Sequence, residues 1–253
     1  MPDRFRVRAG LFFADLETEV ASGRLETGLQ ELIDLERDLE LPSSDEAFRV
    51  EGSLRLGRRS SVDFGYVGFS RSEESRIERR ITFVDFTFLT AGTVRGTLDS
   101  DNPYVALRYD VVHARSFRLG ASLGVDWVNL KAEVSGEGLI AGPNGFLIPL
   151  AVTREASLSV PAPVLGLQIE AAIVPRAVTL GASARAIGVE VDEAEGHLLD
   201  ASVRLEWFVL RNVGLGASYD WSELELDRLE SDGFEYSFRY RYSGPRAFLV
   251  FTF

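Results

Sequence analysis

The chain has 253 residues but no cysteine, two histidines and a single lysine. Without cysteine there are no disulfides, thiolate metal sites or cysteine nucleophiles. No stretch approaches the roughly 18 consecutive apolar residues that a membrane-spanning helix requires, which excludes a helical membrane protein. The net charge of −12 argues against nucleic acid as a partner.

Strand-forming and turn-forming residues are abundant instead, with 23 glycines, 17 phenylalanines and 7 tyrosines. About ten segments alternate in polarity, and the links between them are alternately short and long. The short links are 57–61, 113–116, 174–177 and 210–213. The longer ones lie near 21–46, 87–92, 135–153, 192–197 and 228–233. Short turns at one end and long loops at the other are typical of outer-membrane barrels.

A repeat supports this arrangement, because Leu-Gly-Ala-Ser follows three of the short turns, at 119–122, 180–183 and 215–218. We therefore predict an all-β fold, an up-and-down antiparallel transmembrane β-barrel of about ten strands. Eight or twelve strands are the alternatives. Residues 1–253 are expected to form one domain.

The aromatic residues indicate which face of each strand points outward. In Phe117–Trp127 the odd positions are apolar and the even positions are small or charged. A soluble barrel would place the apolar set inside, but the three tryptophans fall at heights that suit the two edges of a bilayer. We predict an outward aromatic girdle of Tyr109, Trp127, Trp207, Trp221, Tyr240 and Tyr242.

The polar face then lines the lumen, where small residues on one strand oppose large charged ones on the next. A barrel of this size is nearly filled by side chains, and buried charges must be paired, so a plugged lumen is predicted rather than a general porin. The predicted lumen charge network is Arg49, Glu51, Arg55, Arg108, Asp110, Arg118, Asp126, Glu170, Arg185, Arg204, Glu206, Asp220 and Arg239.

The C-terminal segment carries apolar residues at alternate positions, Ala247, Leu249, Phe251 and Phe253. This pattern resembles the signal by which bacterial outer-membrane barrels are recognised for assembly. In Phe234–Tyr242 the aromatic residues occupy even positions instead. Because one strand face cannot hold both sets, the sequence predicts a bulge or bend at Ser243–Pro245. Below it, the last strand should pair with Phe5–Phe13.

The sequence gives little support for a catalytic site or a metal site. His113 falls in a short turn and His197 in or beside a long loop, so the two histidines cannot share one site. The cluster Asp192, Glu193, Glu195, His197 and Asp200 could hold a metal, but such a run is more often a solvated loop. We predict no catalytic residues, no metal and no cofactor.

Several segments resemble a largely uncharacterised group of small proteobacterial outer-membrane barrels, similar in style to the OmpA and OmpW types. They are Ile33–Leu41, Ile81–Phe83, Ala91–Val94 and Tyr240–Pro245. The first lies within residues 25–41, whose pattern fits either a helix or a strand. The resemblance implies the outer membrane of a Gram-negative bacterium, with lipid, lipopolysaccharide and the barrel assembly machinery as partners. Since Met1–Phe5 lacks signal-peptide features, we expect Met1 to replace a removed leader.

Three functions remain open. The first is a non-enzymatic barrel that is structural or binds a small or lipidic ligand. The second is an OmpW-like conduit for small hydrophobic molecules, suggested by the mid-strand prolines Pro161 and Pro163. The third, less favoured, is a surface hydrolase. The sequence leaves the oligomeric state open.

Overall fold

A computed structural model describes residues 4–24, 30–38, 40–76, 81–83, 86–88, 93–141, 147–191, 194–231 and 234–253. The strands and the one short helix run in the order β1 Phe5–Arg24, β2 Gln30–Asp34, α1 Leu35–Asp38, β3 Ser44–Arg55, β4 Ser60–Arg76, β5 Ile81–Phe83, β6 Phe86–Phe88, β7 Thr93–His113, β8 Phe117–Ala141, β9 Leu147–Val174, β10 Val178–Val191, β11 Ala194–Phe208, β12 Val213–Ser231 and β13 Phe234–Thr252. Among the described residues no helix is long and apolar enough to cross a membrane.

Ten strands form a closed antiparallel barrel, in the order β1, β3, β4, β7, β8, β9, β10, β11, β12 and β13. Closure is made by β13 against β1, from Arg6–Thr252 up to Arg24–Phe234. The up-and-down fold and the strand number predicted from the sequence are confirmed. The four short links also lie where the sequence places them, between β3 and β4, β7 and β8, β9 and β10, and β11 and β12.

The other end of the barrel is built from longer strands than the sequence suggested. The segment 135–153, expected as a loop, is mostly strand, since β8 and β9 stay paired up to Ala141–Leu147. The first connection contains both of the structures that its pattern allowed. Its residues Gln30–Asp34 form β2 against β1, and Leu35–Asp38 form the single turn α1.

The outer surface changes from apolar to polar partway along the strands. On β1, Leu11 and Phe13 are exposed, and the next outward residues are Asp15 and Glu17. On β8 the change follows Trp127, where Asn129 and Lys131 take over the outward positions.

The inner surface changes in the opposite sense. On β13 the inward residue Arg246 is followed, toward the long-loop end, by Tyr242 and Tyr240, all of them buried. On β1 the inward Arg8 is followed by Phe12 and Leu16, which are 0% and 1% exposed. The barrel therefore has a polar inside near the short turns and an apolar inside near the long loops.

The predicted bulge at Ser243–Pro245 is wrong. The pairing of β12 with β13 runs without a shift from Ser218–Arg246 through Tyr219–Pro245 and Asp220–Gly244 to Ser222–Tyr242. The aromatic residues change from odd to even positions because the polarity of the two faces is exchanged at this level. The backbone itself does not change phase.

The seam between β9 and β10 ends early. The two strands pair from Val174–Val178 only as far as Leu165–Ala186, whereas β9 continues against β8 over its whole length. Above this point Pro161 is exposed, and so is Val160, which points to the other side of the strand. Within the described residues β9 and β10 make no pairs above this point.

Candidate functional site

The lumen is the candidate site, because nearly all of the predicted charged residues point into it. Neighbouring strands supply side chains of complementary size. A Cβ atom placed on Gly181 of β10 would lie 2.8 Å from the Arg204 guanidinium carbon, so the glycine leaves the room that this arginine occupies. Gly120 of β8 does the same for the side chain of Arg108 on β7.

A first ion-pair cluster lies toward the short turns and is centred on Glu170 and Glu206. Arg8 Nε is 2.6 Å from Glu206 Oε1, and Arg6 Nη1 is 3.0 Å from Glu170 Oε2. Arg118 also donates to Glu170. Arg204 lies 3.7 Å from Glu206 and 4.0 Å from Glu170, and so connects the two carboxylates.

A second cluster is centred on Arg246, whose side chain is 1% exposed. Its Nε is 3.0 Å from Asp220 Oδ2 and its Nη2 is 3.1 Å from Glu51 Oε2. Arg49 completes the cluster through a 2.9 Å contact to Glu51. The guanidinium of Arg246 also lies 4.9 Å from the centre of the Phe248 ring.

A third cluster places Arg185 between two carboxylates of neighbouring strands. Its guanidinium contacts Asp126 at 3.1 Å and Asp200 at 2.9 Å, and it lies 3.9 Å from the centre of the Tyr104 ring. These pairings offset the cost of taking charges out of water.

Arg108 belongs to the wall between the clusters and the short turns. It contacts Asp63 at 2.9 Å and Asp110 at 3.5 Å, and it donates a 2.8 Å hydrogen bond to Ser61. Arg55 also points inward, nearer the short turns.

Arg239 is a correction to the predicted network, because it lies on the outer surface near the long loops. Its side chain is 45% exposed, contacts Glu19 at 3.3 Å and donates to Glu225. The hydrogen bond that Arg239 donates to Glu225 raises the pKa of the Arg239 guanidinium above its ordinary value. Arg241 makes the equivalent outer bridge, with Glu17 at 3.0 Å and Glu223 at 2.7 Å.

Tyr240 and Tyr242 are a second correction, because they are buried in the lumen and not in an outward girdle. Tyr242 lies 5.9 Å from Phe12 and 5.2 Å from Phe69 between ring centres, and 5.8 Å from Tyr240. These four side chains, on β13, β1 and β4, form an aromatic layer above the charge clusters. The other predicted girdle residues, Tyr109, Trp127, Trp207 and Trp221, lie on the outward face.

The first connection folds over this aromatic layer. Leu35 and Leu41 are 2% and 3% exposed and join the same apolar core. Glu36 of α1 holds them in place, because its carboxylate accepts a 2.8 Å hydrogen bond from the Thr18 backbone and a 2.6 Å one from Arg71.

Three cavities among the described residues show how much of the lumen is filled. A cavity of about 420 Å³ opens between the short turns. Among the charge clusters a cavity measures only about 70 Å³, and between these clusters and the aromatic layer another measures only about 30 Å³. A single water occupies roughly 30 Å³ in the liquid, so the upper spaces are suited to water and not to larger solutes.

The structure gives no support to a shared histidine site. His113 lies at the short-turn end, 3.2 Å from Asp110, and His197 lies on the outer face, 3.0 Å from Glu225. His197 and Asp200 point to opposite faces of β11, so the sequence cluster does not converge. The side chains of Asp192, Glu193 and Glu195 fall outside the described residues, and no metal-binding cluster occurs within the described ones.

Sequence reasoning did not select several residues that complete the lumen, namely Arg6, Arg8, Asp63, Arg71, Tyr104, Asp200 and Arg246. Most of them share the inward parity of residues that it did select. Arg246, for example, has the same parity as the inward Phe248 and Val250. The alternation alone could have found them.

The assembly residues Ala247, Leu249, Phe251 and Phe253 point outward on β13. The final residue is tied to the first strand, since the Phe253 N–H donates to the Phe5 carbonyl at 2.8 Å. Pairing of β13 with Arg6–Phe12 of β1 is as the sequence predicts.

No protein-family model matches the chain, and no curated protein matches its sequence. Solved structures match its fold. The outer membrane protease OmpT of Escherichia coli has a TM-score of 0.59 at 11% identity, covering 98% of this chain and 97% of that one. The toluene transporter TodX of Pseudomonas putida has a TM-score of 0.39 at 10% identity, with 100% and 90% covered. OprG of Pseudomonas aeruginosa has a TM-score of 0.37 at 9% identity, with 98% and 95% covered. This chain is thus a closed ten-stranded barrel with the fold of bacterial outer-membrane β-barrel proteins.

Proposed function

We propose that this protein is an integral outer-membrane barrel whose lumen is closed to dissolved solutes and whose role is non-enzymatic. It would act as a structural protein of the cell envelope or bind a small or lipidic ligand. Outer-membrane phospholipid and lipopolysaccharide would surround it, and the barrel assembly machinery would insert it through the C-terminal strand.

The outward apolar belt supports the membrane location. Side chains such as Leu107, Leu123, Leu165 and Val203 are 58%, 62%, 66% and 56% exposed, and they recur around the barrel below the level of Trp127. Soluble monomers seldom expose contiguous apolar surface beyond a few hundred Å². A belt that follows every strand is suited to hydrocarbon.

The proposal of a closed barrel rests on two layers of side chains that fill the lumen, one above the other. In the lower layer arginines and carboxylates bridge strands from opposite sides, as Arg6 of β1 does with Glu170 of β9. In the upper layer Phe12 and Tyr242 pack ring against ring. An ion crossing the lumen would have to break buried ion pairs and then pass an apolar layer.

Planar-bilayer recording tests this closure. The purified, refolded protein should give no steady current steps of porin size, and a general porin reconstituted in the same bilayers serves as the positive control. Stable porin-sized steps from this protein would refute the closed lumen while leaving the membrane location intact.

A second candidate, a conduit for small apolar molecules, is favoured by the early end of the β9–β10 seam. Pairing stops at Leu165–Ala186, and Pro161 and Pro163 lie just above, where a lateral opening would need strands without ladder bonds. Uptake of a fluorescent aromatic hydrocarbon into proteoliposomes tests it. Uptake above that of protein-free liposomes would favour the conduit over the closed barrel.

A further inference from the structure

The cavity of about 420 Å³ at the short-turn end is lined mainly by guanidinium groups, and we name it the vestibule. Its arginines are Arg6, Arg8, Arg55, Arg108, Arg115, Arg118 and Arg176, and among the described lining residues Glu170 is the one carboxylate. The volume falls within the roughly 300–1,000 Å³ that is usual for small-molecule pockets.

The carboxylates that border the vestibule are already engaged by arginines. They are Asp63, Asp110, Glu170 and Glu206. Arg8 and Glu206 are 2.6 Å apart, and Arg6 and Glu170 are 3.0 Å apart. Among the described residues these carboxylates are fewer than the arginines that contact them, so the charge around the vestibule is net positive.

The guanidinium groups of three lining arginines, Arg55, Arg115 and Arg176, make no hydrogen bond or salt bridge with any residue in the described part of the chain. Arg55 is partly buried and interacts electrostatically with the like charges of Arg118, Arg108 and Arg6 and, among the described residues, with the opposite charge of Asp110. Like charges held this close repel one another unless an anion lies between them.

The backbone conformation of Arg176 is a second, independent observation that points to a role for its side chain. Arg176 has a φ of 66°, a left-handed conformation that favours glycine or asparagine. Pro175 precedes it, and the Ala177 N–H donates to the Val174 carbonyl at 3.0 Å, closing the turn. An arginine at such a position costs conformational energy, which a role for its guanidinium would explain.

We propose that the vestibule binds a phosphate-type oxyanion, with Arg55 and Arg176 among its ligands. Guanidinium groups bind phosphate oxygens through paired, charge-assisted hydrogen bonds, and several converging arginines favour a multiply charged group such as pyrophosphate. The anion could be a free phosphorylated solute or the headgroup of a phospholipid on the same side of the membrane. The residues that the vestibule shares with the first ion-pair cluster are Arg6, Arg8, Arg118 and Glu170. Arg55 and Arg176, by contrast, belong to none of the clusters that fill the lumen above it.

Calorimetric titration of inorganic pyrophosphate into the detergent-solubilised protein at low salt tests the proposal. We expect saturable binding, and we expect Arg55→Gln and Arg176→Gly each to weaken it about tenfold, as loss of a charged hydrogen bond does. Arg241→Gln, on the outer face at the opposite end, is the matched control and should leave the affinity unchanged. Folding of each variant is checked by its heat-dependent migration on a gel.

Arg176→Gly separates a binding role from a structural one, because it removes the guanidinium and relieves the backbone strain together. The variant should therefore unfold at a higher temperature while binding pyrophosphate less well. The absence of saturable binding would overturn the proposal. So would equal weakening by Arg241→Gln, or unchanged affinity in the Arg55→Gln/Arg176→Gly double variant.

The source of the phosphate is decided by repeating the titration in nanodiscs. If phosphatidylglycerol nanodiscs abolish the pyrophosphate binding that neutral phosphatidylcholine nanodiscs allow, the natural occupant is a lipid headgroup. If both compositions allow equal binding, the occupant is a soluble anion. Both results support the site, and neither depends on the conductance of the lumen.

Discussion

Arg246 is a charged residue whose side chain is almost fully buried. Its side chain is 1% exposed and connects Glu51 of β3 with Asp220 of β12. A buried ion pair is weak evidence for stability, because desolvation offsets most of the attraction. Loss of one partner is different, since the remaining charges stay buried without compensation.

Arg246→Met should therefore lower the free energy of unfolding by about 3–5 kcal/mol, as measured by urea unfolding in detergent micelles. The matched control is Arg241→Met on the same strand, whose exposed bridges to Glu17 and Glu223 should contribute less than about 1 kcal/mol. Adding Glu51→Gln and Asp220→Asn to Arg246→Met should restore part of the loss. Equal effects at 246 and 241 would contradict the burial of this cluster.

Val203 tests the outward face at the level of the apolar belt. It is 56% exposed and lies on β11 midway between Trp207 and Leu199. Val203→Arg should destabilise the folded barrel in lipid by about 2–4 kcal/mol, because a charge would face hydrocarbon near the bilayer midplane. His197→Arg, on the same face but above the belt, should change stability by less than about 0.5 kcal/mol. A silent Val203→Arg would mean that this face does not contact lipid.

Residue-level reasoning from the sequence reached the inward parity of Arg49, Arg108, Glu170 and Glu206 because side chains alternate along a strand. The sequence could not show which of these side chains contact each other across the lumen. Arg6 and Glu170 meet across the lumen although 164 residues separate them. Such a contact depends on how the strands tilt and stagger when the barrel closes, which a single strand pattern does not contain.

At the scale of elements, β13 shows why a correct pattern led to a wrong structure. The prediction assumed that apolar side chains face outward along the whole strand, and so it needed a bulge to explain the aromatic residues at even positions. The strand leaves the apolar belt near Pro245, and above that level water lies outside and the apolar core inside. Tyr240, Tyr242 and Arg239 were misplaced for this one reason.

The first connection illustrates a different limit. Residues 25–41 satisfy both a strand and a helix pattern, and within 30–38 the structure uses both in succession, as β2 and α1. What ends the strand is the burial of Leu35 and the contacts of Glu36 with Thr18 and Arg71. These are tertiary interactions, so the local sequence could not decide between the two.

A prediction about a single element concerns the last strand, β13, and its final residue. Phe253 points outward, and its backbone accepts hydrogen bonds from Arg4 at 2.6 Å and Phe5 at 3.0 Å. Removing Phe253 should reduce the yield of heat-modifiable, folded protein in outer membranes, because the strand loses its end contacts and its assembly signal. Deletion of Asp232, in the last long connection, is the matched control and should have little effect. Equal loss from both deletions would argue against a special role for the C-terminus.

The whole molecule joins two kinds of β-barrel end to end. Near the short turns it is apolar outside and charged inside, and near the long loops it is polar outside and apolar inside, as in a soluble barrel. Most of the ten strands run through both parts, whereas β3 begins at Ser44 near the boundary and β2 pairs with β1 above it. The level of Trp127 on β8 marks the boundary between the two parts. We expect the hydrocarbon of the bilayer to end at this level.

Site-specific fluorescence measures this boundary, and the lack of native cysteine makes the labelling unambiguous. Leu123→Cys and Lys131→Cys place the same environment-sensitive dye on the outward face of β8, on either side of Trp127. In liposomes, nitroxides attached to lipid chains should quench the dye at 123 strongly and the dye at 131 weakly. Equal quenching at the two positions, or stronger quenching at 131, would contradict the membrane boundary and with it the outer-membrane barrel described above.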